Sequence, residues 1–319
     1  MSRTPMAADL GHARTLDELF CHHRQWLWGL SYRLTGCAAD AEDIVQETFA
    51  RALVRATPCQ EQAWRPWLMR VATNLSLDLL RRRRRRPYEG SWLPSPVETS
   101  DENPLFEAVA PSTDARYEWL ESLSFAFLLA LEVLTPRQRA VLLLRDVFDY
   151  SARATAELLN LSEENIRITH LRARRAMRDY DGNRCQPTSV RQEQTRRTLE
   201  QFIRCLVTQD VDGAAALLAA SARTVTDGGG EYTALHRPLV GRQAVLTLHM
   251  RVAHRRGAGA RIEFRSLNGL PAVLIEYASA IKRQAPRVVL RCEVDVQGRI
   301  RELHTILASR KLTAVRFST

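Results

Sequence analysis

Four groups of side chains have types and spacings that could do chemistry. The first is a carboxylate stripe. In Asp40-Ala-Glu-Asp-Ile-Val-Gln-Glu-Thr-Phe-Ala-Arg-Ala-Leu53, the residues Asp40, Asp43 and Glu47 stand at i, i+3 and i+7. That spacing puts them along one face of a helix, while Ile44, Val45, Thr48 and Ala52 face elsewhere. In a basic chain such a stripe is either a solvated face or a docking surface for a basic partner, and charge alone favours the solvated face. The second group is the arginine run Arg81 to Arg86, which ends the amphipathic segment Ala63–Leu80. There Leu68, Val71, Leu75 and Leu79 form the inward stripe, with Arg70, Asn74 and Asp78 away from it. Arginines at a helix C-terminus suit the dipole, but a run that extends a patterned helix also makes a track for phosphates. The third group is Arg167, Arg172, Arg174, Arg175 and Arg178, fork donors for guanine edges and phosphates. The fourth, Asp227, His236, His249, Glu263 and His304, offers acids and bases, yet no pair has diagnostic catalytic spacing. No P-loop or G-x-G-x-x-G motif is present, so nucleotide-driven chemistry has no support.

Composition agrees with a nucleic-acid partner. Of the 46 basic residues only Lys282 and Lys311 are lysine, against 36 acidic residues, giving a net charge of +10 and a pI of about 9.8. Part of that bias can reflect a GC-rich genome. Hydrophobic residues make up 45% of the 319, enough for two or three packed domains. No apolar run reaches bilayer length and the start lacks a secretory signal, so no membrane partner and a cytoplasmic location are expected. The cysteines Cys21, Cys37, Cys59, Cys185, Cys205 and Cys292 are scattered and form no C-x-x-C pair. Free thiols, with no metal and no cofactor, are the expectation.

These groups need elements to position them. From about residue 13 to 86, apolar residues recur at helical spacing, as in Trp26, Leu27, Leu30 and Leu34, with Gly36 and Pro58 as punctuation. Residues 87–111 carry five prolines and read as a linker. Thr135-Pro136 opens a further helix as N-cap and first helical residue. A short helix over 151–159, the turn Asn160-Leu161-Ser162 and a longer helix over 163–178 have helix-turn-helix spacing, with Asn160 suited to a left-handed turn. After a polar break at 181–192 come helices over 195–209 and 211–220, a Gly228-Gly229-Gly230 loop and a third helix after Gly241. Alternating segments at 261–265, 272–277, 288–294 and 300–307 have strand character, with a hairpin turn at Gln297-Gly298. Helices followed by strands predict an α+β domain.

In this order the motifs resemble the ECF-type RNA polymerase sigma factors of the sigma-70 family. Ala41–Phe49 resembles their polymerase-clamp helix, Trp64–Arg86 the segment that opens and reads the −10 element, and Leu134–Arg178 the −35-reading domain. The resemblance implies polymerase docking by Asp40, Asp43, Gln46 and Glu47. It implies −10-side DNA contact by Asn74, Asp78, Arg81, Arg82 and Arg83. On the −35 side it implies Arg167, Ile168, Leu171 and Arg172 for bases, and Arg174 and Arg175 for phosphate. Trp64 and Trp67 read as core. His170 stands where the family usually has an apolar core residue, and Glu163-Glu164 is acidic near the DNA.

The chain then continues past the helix-turn-helix, resembling the subgroup with a C-terminal SnoaL-like extension. Trp92-Leu-Pro-Ser-Pro96 resembles its W-L-P-E-P, Asp227–Glu231 its D-G-G-G-K with the last charge reversed, and Ser309–Leu312 its closing N-P-D-K-L. The resulting expectation is a multidomain chain, with two all-α DNA- and polymerase-binding domains, the second a helix-turn-helix, and then an α+β SnoaL-like, cone-shaped domain. The division expected is region 2 over 1–87, a Pro-rich linker over 88–113, region 4 over 114–181, a linker over 182–194 and the regulatory domain over 195–319. Trp92, Pro94, Asp227, Gly228, Gly229 and Gly230 are the expected regulatory contact, the alternative being a glycine hairpin and a surface Trp. Core RNA polymerase and promoter DNA are the expected partners, with room for a small-molecule ligand in the C-terminal domain and no enzymatic activity. The competing reading, a one-component DNA-binding regulator, leaves Asp40–Glu47 and the Arg81–Arg86 helix without a job.

Overall fold

A computed structural model describes residues 6–54, 64–86, 88–99, 121–182, 188–278 and 281–317. Pro58, Cys59, Cys185 and the expected boundary at 113–114 lie outside them. Two compact units result, and the chain crosses between them more than once.

The helical unit comprises residues up to 85 and 130–182. Helices α1 (Met6–Thr35), α2 (Ala38–Val54) and α3 (Trp64–Arg85) pack against one another. Gly36, at φ 66°, ends α1 in a conformation that a side chain disfavours. Leu27, Leu30 and Leu34 of α1 meet Ala41, Ile44 and Val45 of α2 in the interior. On α3 the buried face is Leu68, Met69, Ala72, Thr73, Ser76, Leu77 and Leu80. This corrects the stripe read from the sequence, in which Val71, Leu75 and Leu79 prove half-buried. The reason is that α3 also packs on helices from residues 136–159, which widens its covered arc.

Helix α4 (Phe125–Ala130) leads into a 3-10 turn, Leu131–Val133, and α5 (Pro136–Leu142), which runs on as a π-turn, Leu143–Val147. Thr135 closes a full capping box with Gln138. Then come α6 (Ala152–Leu159), α7 (Glu163–Ala176) and α8 (Arg178–Gly182). Val141, Ala156 and Ile166 form their shared core.

The C-terminal unit holds α9 (Ser189–Thr208), α10 (Val211–Leu217), α11 (Arg242–Arg256) and a six-stranded sheet. The strands are β1 (Leu218–Asp227), β2 (Leu239–Val240), β3 (Arg261–Leu267), β4 (Leu270–Glu276), β5 (Arg287–Val294) and β6 (Ile300–Ile306), in the order β2-β1-β6-β5-β4-β3. All pairs are antiparallel except β1 with β6. Alternation along the strands builds two cores. Val273, Leu290, Cys292 and Leu303 face Leu199, Phe202, Val245 and Met250 of the helices. Ala272, Leu274, Val289 and Ile306 face the other way, onto Leu93, Phe125, Leu312 and Val315. Segments 88–99 and 121–129, from the stretch expected to be linker and the start of region 4, therefore form the second covering layer of the sheet.

Two further expectations are corrected. The helix read over 211–220 stops at Leu217, and Leu218–Asp227 is a strand. Its alanines favour a helix locally, but two strand neighbours and both cores override that propensity. Helix α9 begins at Ser189 on a Thr188 cap, inside the expected linker.

The second core is polar at one end. Glu302 accepts from Arg223 at 2.7 Å and lies 3.2 Å from His304 Nε2. Arg291 lies 4.0 Å over the Phe125 ring, which also packs on His304. Burial pushes Glu302 up, but His304 and Arg223 outweigh it and hold the carboxyl at about 2.

Leu93→Ala, at a position 1% exposed, should cost about 2–5 kcal/mol of C-terminal-unit stability in urea unfolding. Because Glu302 is depressed, its contribution is complete above the ordinary value of 4.5 and is lost as pH falls towards about 2. The urea midpoint should accordingly fall more steeply from pH 5 to pH 2.5 in the native chain than in Glu302→Gln; parallel falls would refute this.

Candidate functional site

Three surfaces follow from these elements. On α2 the apolar residues Ile44, Val45, Phe49 and Ala52 turn inward together with Thr48. Asp43, Gln46 and Glu47 are left exposed, and Asp40 is half-buried in the first turn. Glu47 pairs with Arg51 at 2.8 Å, both half-exposed, an interaction worth little in water. The expected docking residues thus share one solvent-facing stripe.

On α3, Asn74, Asp78, Arg81 and Arg82 are exposed, and Asp78 pairs with Arg81 at 2.7 Å. Arg83 differs: it is half-buried and donates to Thr35 O at 2.9 Å and to both oxygens of Glu132 at 2.8 and 2.9 Å. Glu132 also accepts from buried Arg139 at 2.6 Å, and Arg139 donates to Leu34 O and Leu131 O. Burial pulls Arg139 below the ordinary arginine value, against the opposing pull of Glu132. Arg84 donates to Leu134 O. The arginine run therefore divides: part of it faces solvent, and Arg83 and Arg84 hold the two halves of the helical unit together. Trp64 is buried and Trp67 half-buried, stacked edge to face at 5.7 Å.

The helix-turn-helix is built by α6 and α7. Asn160 takes the left-handed conformation at φ 54°, ψ 55°, and Ser162 caps α7 through Asn165 N. Only Ile166 and Ala173 of α7 are buried. Arg167, Arg172, Arg174 and Arg175 are exposed, and so are Ile168 at 41% and Leu171 at 71%. Exposed aliphatics between guanidinium groups suit a groove with thymine methyls and guanine edges. Glu163 is engaged by Arg167 at 2.6 Å. His170 bonds Asp146 at 2.7 Å, and Arg174 pairs with the same carboxylate at 2.9 Å. This explains a histidine in a core-like place.

The fourth cluster lies within the C-terminal unit. Fully buried Asp227 accepts from Tyr88 Oη at 2.6 Å, Leu93 N at 2.8 Å, Gly229 N at 3.1 Å and Lys311 Nζ at 2.6 Å. Lys311 also donates to Leu93 O and sits 4.2 Å over the Trp92 ring. Gly229 has φ +58°, and a Cβ there would meet Ala308 Cβ at 2.8 Å. At Gly228 a Cβ would meet Tyr232 O at 2.6 Å. Gly230, at φ +74°, lies against Glu89, and Pro94 is buried. Glu231, where the charge is reversed, accepts from Ser309 N and Oγ at 3.0 and 2.8 Å. The Trp92 segment, the glycine loop and the Ser309–Leu312 turn thus meet at one buried ion pair. Lys311 is the member that the sequence reading did not single out; being one of two lysines among so many arginines was its signal.

The five acid and base candidates do not converge. Asp227 and His304 lie on the linker-covered face, His249 lines a cavity on the helix-covered face, and Glu263 pairs with Arg261 and Arg265. His236 is exposed. Cys21, Cys37, Cys205 and Cys292 are free thiols. Among the described residues, no helix is long and apolar enough to cross a membrane.

An acidic helix, an arginine-ended helix and a helix-turn-helix in this order form the layout of a sigma-type transcription initiation factor. Comparison with known proteins agrees. Residues 19–86 match Sigma-70 region 2 and residues 124–177 match Sigma-70, region 4. The ECF RNA polymerase sigma factor SigJ of Mycobacterium tuberculosis is 33% identical over 242 residues, covering 74% of this chain and 72% of that one. SigG of the same species is 32% identical over 273 residues, covering 78% and 70%. The crystal structure of SigJ aligns with TM-score 0.67 and 27% identity, over 94% of this chain and 99% of that one. The chain belongs to the ECF RNA polymerase sigma factors, and carries a C-terminal extension beyond the helix-turn-helix. It is an alternative sigma factor, which binds core RNA polymerase and directs initiation to promoters.

Asp227→Asn removes the charge partner of a lysine that is 4% exposed and should destabilise the C-terminal unit by about 3–5 kcal/mol. Gly229→Ala should destabilise it too, while Gly230→Ala, whose contact is the movable end of Glu89, should cost less. Urea unfolding of the three variants checks this ranking.

Proposed function

We propose that exposed Asp43, Gln46 and Glu47, with half-buried Asp40 at the head of their stripe, dock on core polymerase. Asn74, Asp78, Arg81 and Arg82 take the −10 side of the promoter, with Arg83 joining once it leaves Glu132. Arg167, Ile168, Leu171 and Arg172 read the −35 side, and Arg174 and Arg175 track phosphate. The observation that carries this reading is the α7 face on which arginines alternate with solvent-exposed Ile168 and Leu171.

In this reading the domain division expected from the sequence holds as a functional one, and the protein works in the cytoplasm without catalysis. The C-terminal unit tunes promoter output. Its lever is the Trp92–Pro94 segment, held by Asp227 and the Gly228–Gly230 loop, which controls the connection between the two promoter-binding regions. A small-molecule ligand of this unit belongs to the same reading. The one-component regulator is disfavoured because it has no use for the polymerase-docking stripe.

Run-off transcription with purified core polymerase on a random promoter library is the test. The full chain should initiate specifically. Arg172→Ala should cost about 1–3 kcal/mol of discrimination at its base position, whereas Arg175→Ala should weaken all promoters alike. Asp227→Asn or Trp92→Ala should change output by about fivefold or more, the scale of ordinary site coupling. DNA binding without polymerase-dependent initiation would return the one-component regulator, and unchanged output from both Asp227→Asn and Trp92→Ala would remove the tuning role.

A further inference from the structure

The helix-covered side of the C-terminal sheet encloses a cavity of about 570 Å³, within the size range of small-molecule sites. Its walls are aliphatic, with Ile203, Leu206, Leu248, Ile262, Ile275 and Leu290 among them. Among the described residues, charge in the lining has one sign: Arg251, Arg255, Arg256 and Lys282 contribute to it, and no aspartate or glutamate does.

Two polar atoms in this lining lack hydrogen-bond partners although buried, Arg256 Nε and Gln284 Oε1. Arg256 is otherwise held in place, 3.7 Å over the Tyr277 ring and donating to Ala285 O at 3.0 Å. An unmet buried guanidinium N–H and an unmet buried amide oxygen in one lining are costly unless something pairs with them. Val252 and Ile281 are large aliphatics 37% and 46% exposed, and both line the same cavity. His249 lies 3.2 Å from Thr224 and is pulled by burial to about 4, so it is neutral at ordinary pH. The positive charge of the cavity therefore belongs to its arginines and Lys282.

Resting on the reading of this unit as a regulatory, ligand-binding domain, we propose that the cavity takes an organic acid. The apolar body seats against the aliphatic walls, and the anionic group is held by Arg251, Arg255 and Arg256. Charge-assisted bonds from guanidinium groups recognise such an anion, while a cationic ligand of the same body meets like charge. Nothing covalent is involved.

The test uses the full chain and two fluorescent probes with one ring skeleton: 1-anilinonaphthalene-8-sulfonate, an apolar anion, and the neutral N-phenyl-1-naphthylamine. The sulfonate should bind at a single saturable site, about tenfold more tightly than the neutral amine. Arg251→Gln with Arg255→Gln should erase that difference while leaving the amine bound. Val252→Trp should abolish both by filling the cavity, with the melting temperature of the unliganded chain as the check on folding; Ile281→Trp serves if that variant does not fold. Equal binding of the two probes would overturn the anion assignment, and sulfonate binding that survives both cavity-filling variants would place it on surface arginines instead. Binding is read without polymerase. Its failure leaves promoter-directed initiation and the Asp227→Asn effect standing, and failure of the tuning role leaves acid binding measurable.

Discussion

The C-terminal unit is organised around one buried ion pair. Desolvating a carboxylate and an ammonium costs more than their attraction returns unless the remaining hydrogen-bonding capacity is used. Here it is used: Asp227 also accepts from Tyr88, Leu93 N and Gly229 N, and Lys311 also donates to Leu93 O and faces two aromatic rings. Such a pair adds little net stability compared with an apolar substitute. What it specifies is location. Leu93, the glycine loop and the Ser309–Leu312 turn can satisfy those groups together only in this register.

From that register follows the role of the segment between the two helical regions. Once Leu93 is fixed, Val97 N can reach Asn268 Oδ1 at 3.1 Å, while Asn268 Nδ2 reaches Leu123 O at 2.9 Å. Phe125 then closes over Arg291 and His304, covering polar groups that bare solvent exposure of the face would leave competing with water. Segments 88–99 and 121–129 of the chain that joins the promoter-binding regions are thus held by the sheet residue by residue. These described segments form a structural layer on that sheet.

How much of this was legible varied with how local the signal was. Thr135-Pro136, Asn160 and Ser162 act within four residues of themselves, so the caps and the turn could be read from sequence, and the structure has them where local chemistry puts them. The carboxylate stripe on α2 was readable because 3.6-residue periodicity fixes faces without tertiary knowledge. The strand Leu218–Asp227 was not, since its alanines carry a helical preference and only pairing with β2 and β6 decides otherwise. Arg83 could not be told from its neighbours in a homopolymeric run; its difference comes from Glu132, far along the chain. Lys311 likewise gains its meaning from Asp227, a contact no local pattern announces.

The two faces of the sheet bear on each other through shared strands. Thr226 and Leu307 line the cavity, and Asp227 lies between them in the hydrogen-bonded pairing, its carbonyl accepting from Leu307 N at 2.8 Å. Thr305 lines the cavity beside His304, which packs on Phe125. An occupant that fits equally well with the linker held or released shifts nothing, however tightly it binds. An occupant that displaces β1 against β6 by even a few tenths of an ångström acts on the backbone that presents Asp227. A buried, fully bonded pair tolerates such displacement poorly, because each lost partner leaves an unpaired polar group in the interior. The same property that makes the Asp227 cluster a poor source of stability would make it a sensitive reporter of an occupant that moves β1 against β6.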